Sequence, residues 1–125
     1  MQFPEDLVYT DHDEWLRRDG NVVTIGITEF AQDALGEIVH VELPEEGDTF
    51  EAGAAVCEVE SVKAVAEIYT PVAGKVVEIN EDLDGEEESI NESPYGDGWL
   101  FKLEIADDAD LSTLMNAEQY AAKVS

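Results

Sequence analysis

The sequence predicts a mainly β protein: a flattened sandwich or barrel of two small antiparallel sheets, with short helices after residue 28 and at the C-terminus. Three observations predict it. Short apolar runs alternate with period 2, and Gly, Pro, Asn and Asp turn signals separate them. Alternation on both sides of residues 61–64 marks a central hairpin. Gly53 lies ten residues before Lys63 and Gly74 eleven after it, so the segment 47–85 divides about the hairpin into two similar halves. Each half is too short to bury its apolar face alone, and pairing the two would cover both.

The elements follow in order. Leu7-Val8-Tyr9 begins as strand, a polar patch covers 10–14, and Trp15-Leu16-Arg17-Arg18 continues as strand. Asp19-Gly20-Asn21 is a turn, and the β-branched run Val22-Val23-Thr24-Ile25-Gly26-Ile27 is the next strand. Thr28 has the chemistry of an N-cap; Phe30, Ala31, Ala34 and Leu35 share a face at helical spacing, and Gly36 ends the piece. A helix under two turns is held only by packing. Residues 37–43 alternate as a half-buried strand, 44–48 are a turn, and Gly53 is a bend. Pro71-Val72-Ala73-Gly74 is a turn before the strand 75–79. Residues 80–91 are polar and acidic and read as loop, as do 93–98. Trp99 to Ile105 alternates as a strand. The tail over about 110–124 reads helical, with Leu111, Leu114 and Met115 on one face and an Asn116/Gln119 capping-box variant. The whole, 1–125, is one domain.

The hairpin carries the most information. Ala55, Cys57 and Val59 fall on one face of its first arm, and Val56, Glu58 and Glu60 on the other. The break lacks Asn-Gly or Gly-X chemistry. A type I turn accepts most residues and favours Ser first, so Ser61-Val62-Lys63-Ala64 closes with Lys63 near the tip. A tip lysine is a point charge held in water on a flexible four-carbon stem, the presentation a long prosthetic arm requires.

The chain has 31 acidic and 6 basic side chains, a net charge of −25. Phosphate neutralisation needs Lys and Arg, so nucleic acid is excluded as a partner, and anionic membrane surfaces are disfavoured on the same ground. No apolar run approaches membrane-spanning length. Self-repulsion on this scale keeps a protein soluble and works against compaction at low salt, which implies adaptation to high salt; the alternative is an acidic surface that steers basic partner sites. Cys57 is the one cysteine and cannot form an intramolecular disulfide; on a strand it reads as a small buried hydrophobe. The acidic start has neither the plan of a signal peptide nor that of a transit peptide, and the expected location is cytoplasmic.

Seven segments together carry a resemblance: Tyr9 with Glu14-Trp15; Thr24 to Thr28 with Ala31-Gln32; Leu35-Gly36-Glu37-Ile38-Val39; Val41-Glu42-Leu43-Pro44 with Gly47; Val59-Glu60-Ser61-Val62-Lys63-Ala64; Pro71-Val72-Ala73-Gly74; and Asn91-Glu92-Ser93-Pro94-Tyr95-Gly96-Asp97-Gly98-Trp99. In this order and spacing the chain resembles the glycine cleavage H-protein family, within the lipoyl-domain family. Acyltransferase lipoyl domains usually carry Asp before the lysine, where Val62 stands here, and biotin carriers usually flank it with methionines.

The resemblance implies the flattened hammerhead fold of lipoyl domains and a carrier rather than a catalyst. Lys63 would bear lipoic acid in amide linkage, attached by a lipoate-attaching enzyme that reads Glu60. The partners would be glycine decarboxylase, aminomethyltransferase and dihydrolipoamide dehydrogenase, and the expected assembly is a monomer. The loaded arm would fold into a cleft where Glu14 meets its amine and Ile27 and Leu35 form an apolar wall. Glu67 belongs to the same cleft; it stands where many relatives have Asp, and Ala34 where some have His.

Other readings stand beside these. Lys63 is a solvated turn residue on the hairpin alone. Lys75, Lys102 and Lys123 read as surface charges, and Glu60 as one exposed acid among many. His12 and His40 lack Cys or His at ligand spacing. Asp82-Leu83-Asp84-Gly85 begins like a calcium loop, but the EF-hand pattern does not continue. Trp15 and Trp99 read as core aromatics rather than a binding face. The alternative function is a lipoyl-like domain for lipoate relay or protein binding outside glycine cleavage. No base, nucleophile or metal set supports an enzyme.

Overall fold

The computed structural model describes residues 1–106, 109 and 111–124. Nine strands form two antiparallel sheets among these residues. β1 (Val8–Tyr9), β2 (Glu14–Asp19), β3 (Val22–Ile27), β5 (Thr49–Phe50), β8 (Gly74–Ile79) and β9 (Phe101–Glu104) form one sheet, in the order β1-β2-β3-β9-β8-β5. β4 (Ile38–Glu42), β6 (Ala55–Ser61) and β7 (Val65–Tyr69) form the other, in the order β4-β6-β7. The inward faces share one core, in which Ile25, Phe101, Leu103 and Val59 are inaccessible to solvent.

The two-halves reading holds as nested pairing: β6 pairs with β7 and β5 with β8. The two pairs lie in different sheets, so the chain crosses between sheets on each side of the hairpin. Two backbone bonds tie the crossings together, Gly53 N–H to Thr70 O at 2.7 Å and Thr70 N–H to Ala54 O at 3.0 Å. Gly53 makes its bend with φ +88°. Gly74 is glycine for a different reason. It lies within β8, and a Cβ there would stand 2.8 Å from the Glu104 carbonyl oxygen.

Several elements differ from expectation. In β6, Val56 is buried and Ala55 exposed, because a bulge between Ala55 and Cys57 turns the strand over. Another bulge between Ile38 and His40 breaks the alternation of β4 and leaves Val39 exposed. The expected loop 80–91 contains a 3₁₀ turn (Glu81–Leu83) and a short helix, α2 (Ser89–Glu92). Leu83 and Ile90 are buried there; two isolated apolar residues in an acidic stretch leave no periodic signal. In α1 (Glu29–Leu35), only Ala31 and Leu35 of the four expected residues pack on the core, while Ala34 is exposed. Thr28 caps it as expected, accepting the Ala31 N–H at 3.1 Å.

The expected C-terminal helix over 110–124 is shorter. α3 spans Ala117–Val124; residues 112–114 form turns and a bend, Met115 bridges to Tyr9, and Asp110 lies outside the described residues. The capping box forms in full. Gln119 N–H donates to Asn116 Oδ1 at 2.8 Å, and Asn116 N–H to Gln119 Oε1 at 2.9 Å. It starts the helix at residue 117, and the N-terminal end of such a box is where helical geometry begins. α3 closes a second, aromatic cluster in which Tyr9 and Tyr120 stack at 4.8 Å. Trp15 is wholly buried in this cluster and donates Nε1–H to Pro94 O at 2.9 Å.

The small sheet sets like charges against each other. Glu42 faces Glu58 and Glu58 faces Glu67 across its three strands, all exposed. Like charges directly opposite one another destabilise a sheet. Screening should relieve them, because the Debye length falls to about 3 Å at 1 M salt. The thermal midpoint in molar KCl is therefore expected to exceed that in dilute buffer by roughly 5 °C. A midpoint flat across that range would show that this repulsion is not felt.

Candidate functional site

The turn at 61–64 joins β6 to β7. Ser61 N–H donates to Ala64 O at 2.8 Å, and the Ser61 hydroxyl oxygen accepts the N–H groups of Lys63 (3.3 Å) and Ala64 (3.1 Å). A buried serine side chain thus closes the tip, which explains how it forms without glycine. Lys63 is exposed between exposed Val62 and Ala64.

The tip is not free-standing. Val62 N–H donates to Glu37 O at 3.1 Å. The Lys63 stem crosses Gly36, the residue that ends α1, where an added Cβ would lie 3.6 Å from Lys63 Cε. Gly36 adopts φ +83°, a conformation side chains disfavour, so this crossing stays bare. Leu35 precedes it, half-buried against the core.

Glu14 sits at the far end of the hairpin. It is 1% exposed, at the start of β2 and directly opposite the buried Ile27 of β3. One carboxylate oxygen accepts the Thr10 hydroxyl at 2.9 Å; the other accepts Tyr69 N–H, from the last residue of β7, at 2.5 Å. Glu14 thereby pins an edge of the small sheet to the large one. Burial raises its pKa above the ordinary carboxylate range, against the pull of the two hydrogen bonds and of His12. Beside it is a cavity of about 390 Å³, lined by Thr10, His12, Glu14, Tyr69, Thr70 and neighbours. The His12 and Tyr69 rings lie 4.7 Å apart at its wall.

Glu67 is exposed and accepts the Tyr69 hydroxyl at 3.0 Å. Tyr69 therefore contacts both carboxylates, one through its amide and one through its phenol. Neither Tyr69 nor His12 stands out in the sequence as part of a site; strand alternation alone does not say that β7 ends on Glu14. Glu60 is apart from this group, exposed in the ladder between His40 and Val65.

The site therefore has two ends. Lys63 with Gly36 and Leu35 forms one; Glu14, Ile27, Tyr69 and Glu67 form the other. Tyr69, the last of the five residues of β7, lies six positions beyond Lys63, at most about 20 Å at 3.3 Å per residue. α1 begins two residues after Ile27, and Gly36, which ends it, lies beside Lys63. No unmodified lysine spans that distance, but a lysine extended by a long acyl chain lying along the hairpin approaches it. Cys57 is buried, and burial pushes its thiol pKa well up, so it offers no thiolate.

The family model for the glycine cleavage H-protein matches residues 7–125. The glycine cleavage system H protein of Listeria monocytogenes serotype 4a (strain HCC23) is 50% identical over 120 residues, 96% of each chain. That of Anaeromyxobacter sp. (strain K) is 48% identical over 124 residues, covering 99% of this chain and 97% of the relative. The fold matches the crystal structure of a glycine cleavage system H protein from Mycobacterium marinum with TM-score 0.88 and 35% identity, covering 97% of this chain and 98% of the other. By sequence over nearly its full length, and by a fold that places an exposed lysine on a hairpin tip, the chain belongs to the glycine cleavage H-protein family, the carrier proteins of the glycine cleavage system.

Proposed function

We propose that Lys63 is the residue through which this carrier works, as the attachment point of lipoic acid in amide linkage. The observation that supports it most is the position of Lys63: exposed, at the apex of a two-stranded ribbon, with its stem crossing a glycine. The group fits there because the Lys63 side chain is exposed with its stem over a bare glycine, and because a cavity lies at the other end of the same ribbon. When bound, lipoic acid supplies a disulfide that accepts the aminomethyl group left by glycine decarboxylation. The chain supplies presentation and shelter. Amidation removes the Lys63 charge, so the extended side chain can lie against protein without the desolvation cost of an ammonium.

At the far end, Glu14 and Glu67 offer negative charge to the amine of the cargo, and Ile27 and Leu35 supply apolar wall. Glu60 lies three residues before Lys63 on β6, exposed where a lipoate-attaching enzyme would bind. Glycine decarboxylase, aminomethyltransferase and dihydrolipoamide dehydrogenase are the partners this role requires, and the acidic surface favours basic rims around their entrances.

Reconstitution tests the proposal. The lipoylated protein, added to glycine decarboxylase, is expected to support exchange of bicarbonate into the glycine carboxyl group, and the unmodified protein is not. A lipoylated protein that attaches its arm yet supports no exchange would belong instead to lipoate relay or to binding outside glycine cleavage.

A further inference from the structure

The segment 36–38, on which the hairpin tip rests, is held from two sides. From below, Asn91 of α2 grips it with both ends of its amide. Asn91 Nδ2 donates to Gly36 O at 2.7 Å and to Gln32 Oε1 at 3.0 Å, and its Oδ1 accepts Ile38 N–H at 3.0 Å. From above, Val62 N–H donates to Glu37 O, and the Lys63 stem lies over Gly36. One amide side chain thus joins α1, β4 and α2 directly beneath the lysine. A tip closed only by Ser61 would pivot about its two strands; this one has a third fixed point.

The surface around the tip is also composite. Val39, Val62 and Val65 are 41%, 68% and 60% exposed, contributed by β4, the turn and β7. Exposed Glu37 and Glu60 border them. An apolar centre with an acidic rim fits a partner face that is apolar at its centre and basic around it.

We propose that the enzyme acylating Lys63 reads the 61–64 turn and the 36–38 segment as one surface, with Asn91 as the positioning residue that holds the two in register. The inference rests on the assignment of Lys63 above. The partner is an enzyme carrying an activated acyl group, an adenylate or a thioester. The Lys63 amine attacks the acyl carbon, a C–N bond forms, and the bond to the adenylate or thiol leaving group breaks. The leaving group departs with the electron pair, and the amine proton passes to solvent. No oxidant or reductant enters. The rate depends on where the amine nitrogen stands, and a misplacement of about 1 Å can cost on the order of 100-fold.

The test uses the full chain with a lipoate-attaching enzyme, ATP and lipoate. In Asn91→Ala the Val62 amide is expected to exchange its hydrogen about tenfold faster, because its acceptor is loosened. The kcat/KM for acylation is expected to fall about tenfold. Labelling of Lys63 by a small amine-reactive ester stays within twofold of wild type, since that reagent reads no surface. Val23→Ala, a core variant distant from the tip, serves as the control for general destabilisation and should keep its kcat/KM. If Asn91→Ala does not fold, Asn91→Asp carries the same test; it keeps the acceptor for Ile38 and loses both donors. Unchanged acylation, unchanged Val62 exchange, or an equal loss in Val23→Ala would each overturn the proposal. Failure of the wild-type chain to accept lipoate would instead overturn the assignment of Lys63.

Discussion

Lys63→Arg is expected to abolish lipoyl attachment and carrier activity while leaving the fold intact. The position is exposed, with its stem over a bare glycine, so the change should stay within about 0.5 kcal/mol in stability. Arginine keeps the positive charge, which isolates the nucleophile as the variable. Its guanidinium is delocalised and always protonated, so it does not form the amide that a lysine amine forms. The other lysines do not offer the same presentation. Lys75 pairs with Thr49 and Glu104 inside the large sheet, Lys102 lies over the Trp99 ring and 3.7 Å from Glu78, and Lys123 donates to Asp11 O. Intact mass after incubation with lipoate, ATP and the attaching enzyme is the measurement, with a thermal melt beside it. A lipoyl mass increment in the variant would refute Lys63 as the attachment point.

Glu14 separates structure from function through two replacements. Glu14→Ala removes the acceptor of a buried hydroxyl, costing about 1–3 kcal/mol when left unpaired, and of a half-buried amide, costing less. The small sheet should loosen from the large one, and loss of the aminomethyl group from a loaded arm should quicken. Glu14→Gln keeps one oxygen to accept Tyr69 N–H, removes the charge, and puts an NH2 group in place of the oxygen that accepts the Thr10 hydroxyl. It should be more stable than Glu14→Ala, because the bond from Tyr69 survives, yet lose the aminomethyl group as fast as the alanine variant. Equal decay in wild type and Glu14→Gln would confine Glu14 to its role as a pin.

The same pair gives a pH dependence of defined sign. Burial raises the Glu14 pKa, so the folded chain holds this proton more tightly than the unfolded chain. The resulting stabilisation is fully present below the unfolded value, about 4.3 for a glutamate, and is lost as pH rises through the raised folded value. The stability of Glu14→Gln relative to wild type should therefore grow across that window and then level off. A constant difference through the window would mean that Glu14 ionises as an ordinary surface acid.

Local chemistry made much of this legible in advance. The Thr28 cap, the Asn116/Gln119 box and the turn at 61–64 lie where residue type alone predicts, because each is completed by atoms within a few positions in sequence. Strands with clear alternation, such as β3 and β9, were readable for the same reason. What failed were features completed at long range. The bulge that buries Val56 in place of Ala55 depends on how β6 meets β7. The plugs Leu83 and Ile90 have meaning only against a core built elsewhere. Leu111, Leu114 and Met115 mimic a helical face, but Met115 is claimed by a bridge to Tyr9, some hundred residues earlier.

By itself the sequence determined the two-sheet class, the hairpin, the lysine at its tip and, through the spacing of seven short segments, the family. Those depend on periodicity and on neighbours along the chain. Three features came from packing alone: Glu14 is a buried pin held by Tyr69, Tyr69 joins it to Glu67, and Asn91 underlies the lysine. Each of these is a hydrogen bond between residues 53 to 55 positions apart, or a relay through one. Such partners are chosen by the packing of sheets and helices against each other, which no local pattern of residue types encodes.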